Sequence, residues 1–151
     1  KLEFNGNTAV VYATGLQTIL YSIDGITWQS GNTFYNLPTG ITTFYVKYIN
    51  SDCIVKQQGV VLDIKNAITP NGDGLNDHWI VKNLHVFGER RSTVKIFDRY
   101  SVLVFEQSSN TQFFWDGTIS GRAIPTSSYW YVITLPDSRT FTGWILVKNN
   151  N

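Results

Sequence analysis

Thr69-Pro70-Asn71-Gly72-Asp73-Gly74-Leu75-Asn76-Asp77 is a stretch that no strand or helix interior tolerates. Pro70 has no backbone N–H, and Gly72 and Gly74 admit positive φ. Asn71, Asp73, Asn76 and Asp77 carry short oxygen-bearing side chains that bond nearby backbone. The stretch reads as a shaped loop, and it divides the chain. What precedes and follows it is in each case a series of short strands, which puts the boundary after residue 65 and gives segments 1–65 and 66–151.

Upstream of the loop, residues 8–14 (TAVVYAT) and 17–23 (QTILYSI) are rich in β-branched and aromatic residues. Asp24-Gly25 then predicts a two-residue hairpin, with residues 26–29 as the return strand and Trp28 as a core anchor. Residues 34–37 precede Pro38-Thr39-Gly40, and residues 42–49 (TTFYVKYI) alternate, with Phe44, Val46 and Tyr48 on one face. Residues 60–64 would close the sheet. Downstream, residues 78–81 form a short strand, and residues 93–98 and 102–106 a hairpin across Arg99-Tyr100-Ser101. Residues 128–135 (SYWYVITL) and 141–148 (FTGWILVK) pair across Pro136-Asp137-Ser138.

The halves also echo each other: Leu37-Pro38-Thr39 and Ile124-Pro125-Thr126 each lead into an aromatic-rich strand. Many short strands at regular spacing predict an all-β chain of two Ig-like antiparallel β-sandwich domains in tandem.

Composition excludes several functions. Of 151 residues, 15% are aromatic and 15% charged, against about 25% charged in an ordinary soluble domain. Net charge is +1 with scattered Lys and Arg, which leaves no footprint for nucleic acid or an anionic membrane. No apolar run reaches the ~18 residues of a membrane span, so no direct membrane insertion is expected. The lone Cys53 forms no intrachain disulfide and reads as a small buried hydrophobe. The absence of Met and of a signal peptide reads as a fragment or a processed form. His78 and His85 sit in no nucleophile or zinc motif, so no catalytic residue is assigned and the chain is read as no enzyme.

The loop is the one candidate site. Calcium loops place oxygen ligands two residues apart with a glycine at the sharp turn, and the candidate calcium set here is Asn71, Asp73, Leu75 and Asp77. Thr69 stands where a first carboxylate belongs, so affinity would be weak and no cofactor is required. The competing reading is an Asx-turn network closed on its own backbone. Separately, Trp115, Trp130, Tyr131 and Trp144 are candidates for a sugar-stacking platform, although aromatics on alternating strands are more commonly core.

From Ala67 to Lys148 the chain resembles the type B C-terminal sorting domain of Bacteroidetes proteins exported by the type IX secretion system. This domain is also described as the gliding motility-associated C-terminal domain. The landmarks run in order. They are the loop itself (Thr69, Pro70, Asn71, Gly72, Asp73, Gly74, Asn76 and Asp77), then Ile96-Phe97-Asp98-Arg99-Tyr100, then Trp115-Asp116-Gly117-Thr118. Ile124-Pro125 with Tyr129-Trp130-Tyr131 follows, and Thr142-Gly143-Trp144 closes the series. Ser101 and Ser127-Ser128 stand where the family usually has Gly, and Lys148 where it often has Arg.

The first segment resembles the Ig-like repeats that precede this domain in large surface adhesins of the SprB kind. The resemblance implies a non-catalytic sorting signal that directs export of a large surface protein and its retention at the cell surface, outer-membrane associated. It implies as partners the type IX outer-membrane machinery and an SprF-like outer-membrane protein, with the preceding Ig-like domain as spacer. The alternative is an adhesive or carbohydrate-binding β-sandwich module.

Overall fold

The structure, a computed structural model, describes residues 1–149. Among the described residues the chain is all-β apart from one short turn of 3₁₀ helix, and it divides into two compact units with the boundary after residue 62.

The first unit contains β1 (Leu2–Asn5), β2 (Thr8–Val11), β3 (Ile19–Ser22), β4 (Thr33–Phe34), β5 (Gly40–Tyr48) and β6 (Val55–Val61). They form two three-stranded antiparallel sheets, β1-β2-β4 and β3-β5-β6. Alternation turns Ala9 and Val11 of β2 inward, and Phe44 of β5 toward them. Phe44 meets Phe4 of β1 and Phe34 of β4 edge-on, at ring separations of 6.1 and 5.9 Å. Three rings from two sheets thus close the layer between them, in the geometry the ring quadrupole prefers.

Four expectations for this unit are corrected. The Asp24-Gly25 hairpin is absent, because side chains compete with the strand ladder for the backbone. Ser22 Oγ accepts the N–H groups of Asp24 and Gly25 at 3.2 and 2.9 Å. Asp24 Oδ1 accepts those of Ile26 and Thr27, both at 2.8 Å. The return strand shrinks to a single bridge, Tyr21 to Gln29. Trp28 is consequently half-buried beneath Lys47, whose Nζ lies 4.4 Å from the ring centre, and the core is built on Phe34 and Phe44 instead. The closing strand β6 starts at Val55 rather than residue 60. Cys53 is exposed in the segment leading to it.

The second unit contains β7 (Ala67–Ile68), β8 (Trp79–Val81), a 3₁₀ turn (Leu84–Phe87), β9 (Ser92–Phe97) and β10 (Leu103–Ser109). β11 (Phe113–Trp115), β12 (Thr118–Ile119), β13 (Arg122–Ala123), β14 (Ser127–Thr134) and β15 (Thr140–Val147) complete it. Five strands make one sheet in the order β10-β9-β14-β15-β7, antiparallel except where β7 runs parallel to β15. Both expected hairpins, β9–β10 and β14–β15, are present. The inner face of this sheet carries Val94, Ile96, Tyr129, Ile133, Ile145 and Val147. Trp79 and Val81 of β8, with Phe113 and Trp115 of β11, lie buried with them as a second layer.

The bonds to the Asp24 carboxylate come first from the Ile26 and Thr27 N–H groups and then from Ser22; they hold its pKa at about 2, against an ordinary 3.8. A depressed folded value contributes stability that is present above about 3.8 and is lost as pH falls through about 2. Asp24→Asn is therefore expected to flatten the pH dependence of the first unit's urea midpoint between pH 4 and pH 2. An unchanged slope in the variant would show that this carboxylate does not brace the turn.

Candidate functional site

The loop after β7 folds around Asp77. One of its carboxylate oxygens accepts the N–H groups of Asn71 and Gly72 at 3.1 and 3.0 Å, and the other accepts that of Gly74 at 2.7 Å. Asn71 Oδ1 takes the Asp73 N–H at 3.1 Å, and Asp73 Oδ1 takes the Leu75 N–H at 2.8 Å. Thr69 closes the ends: its N–H donates to Asn76 O at 2.7 Å and its hydroxyl to Leu75 O at 3.4 Å. Gly72, Gly74 and Asn76 have φ of 78°, 80° and 53°, which lets successive N–H groups point inward. Partial desolvation raises the Asp77 pKa, but the three N–H donors and neighbouring His78 outweigh it and leave the carboxyl below its ordinary value.

All four residues of the candidate calcium set thus meet in one loop, and the oxygens named face N–H or O–H donors. Among the described residues, no group of three or more His, Cys, Asp or Glu side chains is arranged to hold a metal ion.

Trp115, Tyr129 and Tyr131 among the other landmarks meet in the interior. Trp115 is 1% exposed, donates Nε1–H to Thr118 O at 3.1 Å, and packs edge-on against Tyr129 at 5.8 Å. Asp116 Oδ1 accepts the Thr118 N–H and hydroxyl at 3.1 and 2.6 Å, which closes the turn at Gly117. Tyr129 donates its hydroxyl to Pro125 O at 2.9 Å, four residues upstream, as at the tyrosine corner of immunoglobulin-like sandwiches. Burial raises the Tyr129 pKa and holds the donor protonated. Tyr131 stands opposite Gly143 in the β14–β15 register, and its ring fills the space a Cβ would occupy there.

At the β9–β10 turn, Asp98 Oδ1 accepts the N–H groups of Tyr100 and Val102 at 2.8 and 2.9 Å. Ser101 has φ 63°, so the position keeps the left-handed conformation that favours Gly. Ser127 and Ser128 lie within β14 and carry no positive φ. Arg99 is exposed beside this turn, with its guanidinium 5.0 Å from the Tyr100 ring centre.

The proposed aromatic platform is split by strand alternation. Trp115 and Tyr131 face inward, whereas Trp130 and Trp144 sit on the outer face, edge to face at 4.9 Å. Trp144 is 52% exposed. Trp79 is a core residue that motif reading passed over. It is fully buried, donates Nε1–H to Lys65 O at 2.8 Å and packs at a tilt against Tyr131, with ring centres 5.6 Å apart. Its signal was the short apolar run after the loop, too brief to distinguish a core strand from an exposed one.

Residues 62–147 match the family described as the CHU_C type IX secretion signal domain, and the chain belongs to that family. Among solved structures it is similar to a chain described as "Biofilm associated protein - BSP domain", with a TM-score of 0.37 and 15% identity. That match covers 95% of this chain, which spans 27% of the other. No curated protein matches. No helix among the described residues is long and apolar enough to cross a membrane.

Tyr129→Phe keeps the ring packed on Trp115 and removes one buried hydrogen bond. Its expected cost is about 1 kcal/mol of unfolding free energy, measured by urea denaturation at constant m-value. A neutral result would show that the Tyr129 hydroxyl does not stabilise this unit.

Proposed function

We propose that the second unit is the export address of a larger surface protein and is itself non-catalytic. Membership of the secretion-signal family over residues 62–147 is the observation that carries this reading. The finer assignment is a type B signal read at the outer membrane through an SprF-like protein, with the cargo retained at the cell surface. It rests on the ordered landmarks from Thr69 to Trp144. On this reading the first unit is an Ig-like spacer between that address and the rest of an adhesin.

The test is a periplasm-directed fluorescent reporter joined ahead of the full chain in a type IX-competent host. The reporter is expected at the cell surface, whereas a fusion carrying residues 1–62 alone stays in the periplasm. Equal retention of both inside the cell would defeat the proposal.

For the loop we infer a structural role. Asn71 Oδ1, Asp73 Oδ1 and both carboxylate oxygens of Asp77 already accept the loop's own N–H groups, and a cation bound by them would have to displace these bonds. After chelation, millimolar calcium is expected to leave the melting temperature unmoved. A rise of several degrees that saturates with calcium would replace this reading with a calcium cage.

A further inference from the structure

The landmarks are mostly consumed by folding. Asp77 braces its loop, Trp115 and Tyr129 fill the interior, and Tyr131 covers Gly143. What a reader would touch must be sought on the outer face of the five-stranded sheet. Strand register places Leu103 of β10 beside Phe97 of β9, Phe97 beside Trp130 of β14, and Trp130 beside Trp144 of β15. A bulge in β10 between Leu103 and Phe105 turns Leu103 outward although Phe105 packs inward on Trp115, so the four side chains form one row across four strands, about 14 Å long at ~4.8 Å per strand. Leu103 and Trp144 are both close to half exposed.

Phe97, Trp130 and Trp144, with Asp98, Arg99 and Ser101, line an open concavity of about 460 Å³. A row in which Leu103 and Trp144 are exposed and Phe97 and Trp130 half-buried has the composition of a protein-binding hot spot, where apolar anchors cluster in one patch. The neighbouring outer positions, Val132 and Leu146, are also apolar. A saccharide would need a flat stacking platform beside the polar groups of Asp98, Arg99 and Ser101. The two indoles, at 66° to each other, do not offer that platform.

Charge names the partner's complement. Glu106 lies opposite Lys95 in the β9–β10 register, so those two offset each other on this face. Asp98 gives Oδ1 to the turn. Arg99, at the rim of the concavity, makes no ion pair among the described residues.

We propose that the row Leu103–Phe97–Trp130–Trp144, with Arg99 at its rim, is the face by which the type IX secretion machinery docks this domain. The complementary surface on the machinery is apolar and carries a carboxylate that pairs with Arg99. This inference rests on the export-address reading, and it specifies a surface that the family assignment leaves open.

The test measures surface delivery of the reporter fused to the full chain, beside the melting temperature of the same purified chains. Trp144→Thr, Leu103→Thr and Arg99→Glu are expected to lower delivery about tenfold or more while melting within a few degrees of the parent. Three separate substitutions keep the test valid if one of them fails to fold. Ile26→Ser, which removes an exposed apolar side chain from the first unit, is expected to change nothing.

Normal delivery by folded variants would overturn the assignment of this face. So would normal delivery accompanied by loss of glycan-array binding, which would make the row a saccharide site. A parent dimer dissolved by the variants without loss of delivery would likewise overturn it in favour of self-association. Failure of the parent fusion itself to reach the surface would defeat the export reading on which this proposal stands.

Discussion

Ile68, Pro70 and Val147 close over the space where Gly117 has no Cβ. An added methyl group there would stand 3.2 to 3.6 Å from all three, on a backbone already at φ 76°. The second unit depends on this close approach. Ile68 belongs to β7, Pro70 opens the loop, Val147 ends β15, and Gly117 follows the Trp115-Asp116 turn. The contact therefore fixes the base of the loop to the last strand and to the turn beneath it. Once it is made, Leu146 N–H reaches Asn66 O at 2.8 Å and Lys148 N–H reaches Ile68 O at 3.0 Å, which adds β7 to the sheet. A side chain at position 117 would meet both steric crowding and the cost of left-handed backbone, two penalties that act together.

The two units solve a similar problem with different means. Each sets an apolar residue before proline at the entrance to a long strand: Leu37 before Pro38 and Ile124 before Pro125, all four in the order the sequence echo indicates, with both apolar residues buried. Beyond that point they diverge. In the first unit three phenylalanines from two sheets meet edge-on. In the second, two fully buried tryptophans, Trp79 and Trp115, supply the inner layer, and each uses its N–H on a backbone carbonyl. An indole buried with its donor unmatched would be costly, so Lys65 O and Thr118 O are as much part of this core as the rings.

The all-β class and the two hairpins of the second unit were legible because their signals are local: alternation, β-branched content and turn residues within ten positions of one another. β7 was not, because two residues become a strand only by pairing with β15 about eighty positions away. The loop was legible as a shape but not in its wiring, since the same Asn and Asp spacing serves a cation cage or an Asx network. Which oxygens face N–H groups is decided by the backbone path. The strand of residues 128–135 shows a third limit. Both of its faces are aromatic or aliphatic, so alternation alone could not say whether Tyr129 and Tyr131 or Trp130 and Val132 point inward. The layer of Trp79 and Trp115 settles it by covering one face and leaving the other.

That choice of face also determines what an export system could recognise. Phe97 and Leu103 lie on one hairpin and Trp130 and Trp144 on another, and the two pairs become one row only when β9 and β14 are paired in register. A one-residue slip in any of these strands would turn its side chain to the opposite face and break the row. The register is held from the inner side: Tyr131 fits against Gly143 because they are opposed, and Tyr129 reaches Pro125 because β14 begins where it does. The buried landmarks therefore act on the outer surface at one remove, by fixing the strand register on which it depends. A partner that binds the outer row would be sensing completed folding of the domain rather than a linear stretch of sequence.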